Sequence, residues 1–200
     1  AAAANRYTYV DGGGVAPAIS IVTDGKIYGP TLPKWYGAWD HTFRFKSIDF
    51  NVQAQFSGGN FIYNGTQAGM RDQRFWNNHT DVLNRWQNEG DVTDIPRVVW
   101  LDNVSNGSAF PVSSNVEKGD FLRIRNMTLG YTLPANDLFK KASISNFRVY
   151  ASVSNAFLFT GYSGTDPEVS TNGNDPGSAG VDRNTVPMAR TILVGLNMSF

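Results

Sequence analysis

The last residues of the chain alternate between apolar side chains and small or polar ones. Residues 190–200 read RTILVGLNMSF. Every second position in this segment carries an apolar residue: Ile192, Val194, Leu196, Met198 and Phe200. Because successive side chains of a β-strand point to opposite faces, this period of two predicts a strand with one apolar face. Such a face could pack on the core of a soluble β protein or contact lipid in a transmembrane β-barrel.

Earlier segments show the same alternation, so that five strands are predicted in all. The five cover residues 35–45, 48–57, 121–133, 146–155 and 190–200. Only Lys46 and Ser47 separate the first two, which predicts a hairpin. In the third segment the parity of the apolar positions changes between Ile124 and Met127, so we predict a β-bulge near Asn126.

The connections between these strands differ greatly in length. Long connections are predicted at residues 5–34, 58–120 and 156–189, and the others are short or moderate. Loops beyond about 12–15 residues are uncommon in compact soluble domains. Outer-membrane barrels instead combine short periplasmic turns with long extracellular loops. The connection lengths therefore favour a barrel, and within the middle connection we predict only a short helix, at residues 81–87.

Composition narrows the possible function classes. The 17 basic and 17 acidic residues cancel, so no net charge attracts a nucleic acid. Cysteine is absent, which excludes disulfide bonds and thiolate metal sites. No apolar run approaches the roughly 20 residues of a membrane-spanning helix. If the chain crosses a bilayer, it must do so within a closed barrel, because only helices and barrels satisfy every backbone polar group in lipid.

The sequence carries no catalytic signature. Its two histidines, His41 and His79, lack metal-ligand neighbours at useful spacing, and no Gly-x-Ser-x-Gly motif occurs. We therefore expect neither an enzyme nor a bound cofactor. Asp166 and Glu168 could form an ion site, but the sequence Thr-Asp-Pro-Glu is first of all a turn signal.

One part of the middle connection combines aromatic, amide and guanidinium side chains, which suit sugar rings or peptide backbones. The candidate ligand-contact residues are Arg71, Arg74, Phe75, Trp76, Asn77, Asn78, Asn84, Arg85 and Trp86. The alternatives are that the aromatic residues only anchor the loop, or that they contact a partner protein.

Three segments resemble the C-terminal end of the SusC/RagA family of TonB-dependent outer-membrane transporters. They are GDFLRIRNMTLGYTLP (119–134), ISNFRVYASVSNAFLFTGYSGTDPEVS (144–170) and ARTILVGLNMSF (189–200). The hairpin at residues 33–56 is similar to the family's preceding strand pair. The resemblance implies an all-β fold, namely an antiparallel transmembrane β-barrel segment with long extracellular loops. This segment would supply about five of the barrel's about 22 strands.

The resemblance also implies a function and partners. The chain would belong to an outer-membrane importer of oligosaccharides or oligopeptides in a Gram-negative, Bacteroidetes-like cell. A SusD-like lipoprotein and TonB would be its partners, and the rest of the barrel and the plug would complete it. The alternative is a surface binding or adhesion module without transport. In the family, the terminal aromatic, here Phe200, would be an assembly signal.

A barrel further predicts which face each side chain occupies, because charge on the lipid face is costly. The expected lipid-facing residues are Trp39, Phe43, Phe45, Phe50, Val52, Phe147, Val149, Leu196 and Phe200. The expected lumen-facing residues are Arg44, Gln53, Arg148 and Asn197.

Overall fold

The computed structural model describes residues 7–8, 15–16, 25–72, 77–95, 97, 112–134, 139, 143–173, 175 and 178–200. The chain divides into two compact units. The sheet unit comprises residues 33–60, 118–168 and 186–200, and the insert unit comprises residues 1–32, 61–117 and 169–185.

The described residues form short and long strands and one α-helix. The strands are β1 (Tyr7–Thr8), β2 (Val15–Ala16), β3 (Trp35–Phe45), β4 (Ile48–Gly58), β5 (Phe61–Asn64), β6 (Val116–Lys118), β7 (Phe121–Thr132), β8 (Asn146–Thr160), β9 (Val181–Asp182) and β10 (Thr191–Ser199). Helix α1 spans Gly65–Met70, and 3₁₀ turns span Thr80–Asn84 and Ser113–Asn115.

The sheet unit contains one five-stranded antiparallel sheet in the order β10-β8-β7-β4-β3. These are the five strands expected from the alternating pattern. The main difference is in β8, which continues to Thr160 although the pattern predicted its end at residue 155. Asn155 adopts a positive φ of 52° within this strand, and the alternation resumes at Phe157 beyond it.

The strand register places apolar residues in rows that cross the whole sheet. One such row consists of Phe43, Phe50, Leu129, Ala151 and Val194. The neighbouring row on the same face consists of His41, Val52, Met127, Val153 and Ile192. This face is exposed: Phe43 is 52% exposed, Leu129 54% and Val194 73%. Phe43 therefore does not lie in a closed core between two sheets.

The opposite face of the sheet is polar. One of its rows consists of Asp40, Gln53, Asn126, Ser154 and Thr191, and the next of Thr42, Asn51, Thr128, Ser152 and Leu193. Leu193, which broke the alternation in the sequence, thus lies on the polar face. Arg44 and Asn197 have the same strand parity as these residues. The two faces therefore divide the side chains as the alternation predicted.

A β-bulge interrupts the ladder at Arg125. On β4, the adjacent residues Gln53 and Ala54 pair with Asn126 and Ile124, so Arg125 is the extra residue. Between β7 and β8 the register also shifts here, but in the opposite sense: Ile124 and Asn126 pair with Phe157 and Ser154, so two residues of β8 lie opposite Arg125. The bulge predicted near Asn126 is confirmed, and it keeps the apolar residues on either side of it on one face.

A glycine makes room for an ion pair on the polar face. Arg148 on β8 reaches across β7 to Asp49 on β4, with Nε and Nη2 at 3.0 and 2.5 Å from the carboxylate oxygens. Gly130 lies between them, and a Cβ there would stand 2.2 Å from Nη2 of Arg148. A side chain at position 130 would therefore require the guanidinium of Arg148 and the carboxylate of Asp49 to shift from their present positions.

The insert unit has its own small core. Strand β5 lies between β6 and β9 and pairs with β9 in parallel. Asn64 caps α1 by accepting a hydrogen bond from the backbone N–H of Gln67 at 2.9 Å. Apolar burial is centred on Ile62, Ala68, Val82 and Ile95. No helix in the described part of the chain is long and apolar enough to cross a membrane.

The helix predicted at residues 81–87 is wrong in type and extent. The segment forms a 3₁₀ turn at Thr80–Asn84, with His79 as its N-cap. Arg85 already has an extended conformation, with ψ of 154°. One turn is too short to offset the entropic cost of nucleating an α-helix. The connection predicted at residues 58–120 also contains β5, α1 and β6, so it is more ordered than expected.

Candidate functional site

The candidate ligand-contact residues lie in the insert unit, between α1 and the segment that follows the 3₁₀ turn. Arg74, Phe75 and Trp76 lie outside the described residues. The structure describes Arg71, Asn77, Asn78, Asn84, Arg85 and Trp86.

Arg71 is bound within its own segment. It terminates α1, and its Nε and Nη2 lie 2.8 and 2.7 Å from Oδ2 of Asp81. Burial alone would raise the pKa of Asp81, but the hydrogen bonds from Arg71 and His79 outweigh it and hold the pKa below its ordinary value. At neutral pH this ion pair links the end of α1 to the 3₁₀ turn.

Asn78 and Arg85 also stabilise the local backbone. Nδ2 of Asn78 donates to the carbonyl oxygens of Met70 and Asp72, at 3.1 and 2.7 Å. Nη1 of Arg85 donates to the carbonyl oxygen of Val82 at 3.4 Å. These side chains form the loop, whereas Asn77 and Asn84 are exposed and Trp86 is half-buried.

A charged cluster lies on the polar face of the sheet unit. Nη2 of Arg123 lies 2.5 Å from Oδ1 of Asp166, and its Nε lies 2.5 Å from Oε2 of Glu168. Arg125, the bulge residue, pairs with the other oxygen of Glu168. The Arg123 and Asp166 side chains are only 4% and 1% exposed. Sequence patterns did not indicate this cluster, because its members come from two separate segments.

The pairing supports the turn interpretation of residues 165–168. Oδ1 of Asp166 accepts the backbone N–H of Glu168 at 3.0 Å, as in an Asx turn. Two guanidinium groups balance the two carboxylates, which leaves no excess negative charge to attract a cation. The described part of the chain contains no group of three or more metal-ligating side chains.

Hydroxyl and amide groups line the polar face between the charged groups. Oγ of Ser152 donates to Oδ1 of Asn126 at 2.8 Å and lies 3.0 Å from Oγ1 of Thr128. On the neighbouring strands, Nδ2 of Asn51 donates to Asp40 at 2.9 Å. This part of the face can exchange hydrogen bonds with water or with a polar solute.

Comparison with known proteins identifies the fold and the family. No family model matches the chain. It is 32% identical over 181 residues to TonB-dependent receptor P3 of Formosa agariphila, covering 88% of this chain and 17% of that receptor. It is 29% identical over 161 residues to TonB-dependent receptor SusC of Bacteroides thetaiotaomicron, covering 78% of this chain and 14% of SusC.

Solved structures show the same fold. The structure of the RagAB peptide importer in the closed-closed state superposes with a TM-score of 0.75 and 23% identity, over 97% of this chain and 20% of that chain. The open-open state gives a TM-score of 0.72 with 22% identity, over 96% of this chain and 20% of that chain. The chain belongs to the TonB-dependent receptors.

Membership of this receptor family explains the two faces of the sheet. The five strands are a segment of an antiparallel transmembrane β-barrel, whose strands present apolar side chains to lipid and polar side chains to the lumen. The exposed apolar rows are therefore the lipid-facing surface, as predicted for Phe43 and Leu196. The chain spans about a sixth of the length of the curated receptors that it matches, with 17% of P3 and 14% of SusC covered.

Proposed function

We propose that the chain is the C-terminal part of an outer-membrane importer for oligosaccharides or oligopeptides. The importer would act together with a SusD-like surface lipoprotein and be energised by TonB. The observation that carries this proposal is the five-stranded sheet with one exposed apolar face, which superposes on the RagAB peptide importer with a TM-score of 0.75. A plug and further barrel strands would complete the transporter in the outer membrane of a Gram-negative, Bacteroidetes-like cell.

The polar face supports a hydrophilic substrate. Its middle part carries hydroxyl and amide groups such as Asn126, Thr128 and Ser152, which hydrogen-bond without imposing a net charge. Several charged side chains in this unit are paired, as in Asp49 with Arg148 and Asp166 with Arg123. A neutral sugar or a peptide backbone would be compatible with such a wall.

Ligand contact is assigned to the segment around residues 71–86. Among the described candidate residues, Arg71, Asn78 and Arg85 hold the local loop together. Asn77, Asn84 and Trp86 take no part in those hydrogen bonds. Arg74, Phe75 and Trp76 would supply the aromatic and cationic part of the same surface. Phe200 would act in assembly and not in ligand binding.

Transport can be tested in cells that carry the full-length receptor. A strain without the receptor gene and its complemented parent would receive fluorescent oligosaccharides or fluorescent peptides, with and without a protonophore. If the receptor transports its ligand, fluorescence should accumulate inside the cells, where an external quencher cannot reach it. We expect this for one of the two ligand classes, and only in energised cells that carry the receptor. Label that binds the receptor but stays quenchable and survives the protonophore would instead establish the adhesion alternative.

Variants within the receptor then test the ligand surface. Trp76→Ala should lower uptake, because an aromatic stacking surface is lost. Val92→Ala is the matched control, since Val92 lies in the same connection and is fully exposed, at 101%. Equal uptake by both variants would exclude Trp76 from ligand contact.

A further inference from the structure

The two long connections between strands of the sheet are each closed at the base by an aspartate. In the connection from β4 to β7, Oδ1 of Asp120 accepts the backbone N–H of Gly59 at 2.7 Å, although the two residues are 61 positions apart. The backbone N–H of Gly119 donates to the carbonyl oxygen of Asn60 at 3.0 Å. A Cβ at Gly58 would stand 2.5 Å from Oδ1 of Asp120, so the glycine leaves room for this carboxylate.

The connection from β8 to β10 closes in the same way at Asp166. Its Oδ2 accepts the backbone N–H of Met188 at 3.2 Å, 22 positions along the chain. Its Oδ1 accepts the N–H of Glu168 and the guanidinium of Arg123. One carboxylate thus joins the outgoing strand end, the returning strand end and the barrel wall.

The surroundings make these bonds strong. Asp166 and Arg123 are almost fully buried, so water does not compete for their hydrogen bonds. Hydrogen bonds that involve a charged group are also stronger than those between neutral groups. Arg125 makes a second connection between the two strand ends, because it pairs with Glu168 and its Nη1 lies 3.0 Å from Sδ of Met188. The bulge directs Arg125 to the polar face, where both Glu168 and Met188 contact it.

We propose that Asp120 and Asp166 are positioning residues that hold the bases of the two connections closed on the barrel wall. Each aspartate closes the base of its own connection, and further from the wall the two connections pair with each other through β5 and β9. This role concerns the fold of the connections and does not depend on which ligand the receptor takes.

Hydrogen exchange on the purified full-length receptor tests this proposal segment by segment. Asp166→Asn should raise amide exchange by roughly tenfold or more in residues 169–187, because the bonds to a charged carboxylate are lost. Asp120→Asn should do the same in residues 61–117. Each variant should raise exchange more in its own connection than in the other, because pairing of β5 with β9 couples the two connections within the insert unit. Trypsin added to intact cells gives a second readout, because Arg183 is the only lysine or arginine within residues 161–189.

Two further variants separate positioning from general stability. Asp49→Asn breaks the ion pair with Arg148 on the same wall and should leave exchange in both connections unchanged. If Asp166→Asn alone assembles poorly, the double variant Arg123→Met with Asp166→Asn removes the uncompensated buried charge. We expect it to restore assembly but not protection at Arg183. Exchange that is unchanged, or that rises equally in both connections or with Asp49→Asn, would overturn the proposal.

Discussion

Gly130 is the residue at which a single added carbon should disturb the barrel wall most directly. A Cβ there would lie 2.2 Å from Arg148 and 2.5 Å from Asp49, between the two partners of an ion pair. We expect Gly130→Ala to destabilise the full-length receptor by about 1 kcal/mol, because the two side-chain ends must move and their part-exposed ion pair is weakened. The measurement is the temperature at which the detergent-solubilised receptor loses the electrophoretic mobility of its folded form.

Gly69 provides the control for that substitution. It lies in α1, and a Cβ there meets nothing within 4 Å. Gly69→Ala should be neutral or slightly stabilising, because alanine favours the helix. If both variants melt alike, the close approach at Gly130 has no energetic consequence.

Phe200 tests assembly at the same scale. It is 79% exposed and follows the apolar file of β10. If the terminal aromatic is an assembly signal, Phe200→Ala should lower the amount of receptor in outer-membrane fractions far more than Met198→Ala. Met198 lies on the same face, so Met198→Ala removes a similar kind of lipid contact and serves as the control. Equal losses would mean that Phe200 is ordinary barrel surface.

At the scale of single elements, β8 offers adjacent residues on opposite faces. Ala151 lies in the exposed apolar row, and Ser152 lies in the polar row. We expect Ala151→Arg to cost about 2–4 kcal/mol of barrel stability, because it places a charge in the middle of the lipid face. Ser152→Arg should cost less, although it removes hydrogen bonds to Asn126 and Thr128. Urea unfolding of the receptor in lipid vesicles gives the free energy of unfolding of both variants. A larger loss for Ser152→Arg than for Ala151→Arg would reverse the assignment of faces.

The bulge in β7 predicts how that strand tolerates deletions. Arg125 is the extra residue relative to β4, so its removal leaves Ile124 and Asn126 on their present faces and in register with that strand. Deletion of Thr128, in the regular ladder, shifts one part of the strand by one residue and moves apolar side chains to the polar face. We expect the receptor without Arg125 to assemble and the receptor without Thr128 to fail, as measured in outer-membrane fractions. Assembly of both would show that register is not fixed in β7.

The alternating pattern predicted the long strands because a wall between lipid and lumen imposes a period of two over many residues. It could not predict β5 and β9, since Tyr63 and Val181 pair across a long stretch of chain and leave no periodic signal. The extension of β8 was missed because Asn155 occupies an apolar position of the pattern. In the candidate segment, the sequence shows residue types, but only the structure shows that Arg71 and Asn78 bind their own loop.

For the molecule as a whole, the sheet has two open sides. Among the described strands, β3 pairs only with β4, and β10 pairs only with β8. Unpaired strand edges promote aggregation in water and are not tolerated in lipid. We therefore expect the 200-residue chain expressed alone to aggregate, as judged by size-exclusion chromatography. A monodisperse monomer with a cooperative thermal melt would contradict this.

The closed bases of the two connections bear on how such receptors could diversify. At Gly59 and Asp120 the outgoing and returning chains already meet through one hydrogen bond. Lengthening a segment whose ends are held together costs little additional entropy. Insertions, deletions or exchanges between such fixed points can therefore accumulate without changing the membrane-spanning wall. In this way one barrel wall can carry different surface chemistries as interchangeable modules, and the same points offer junctions for grafting designed loops.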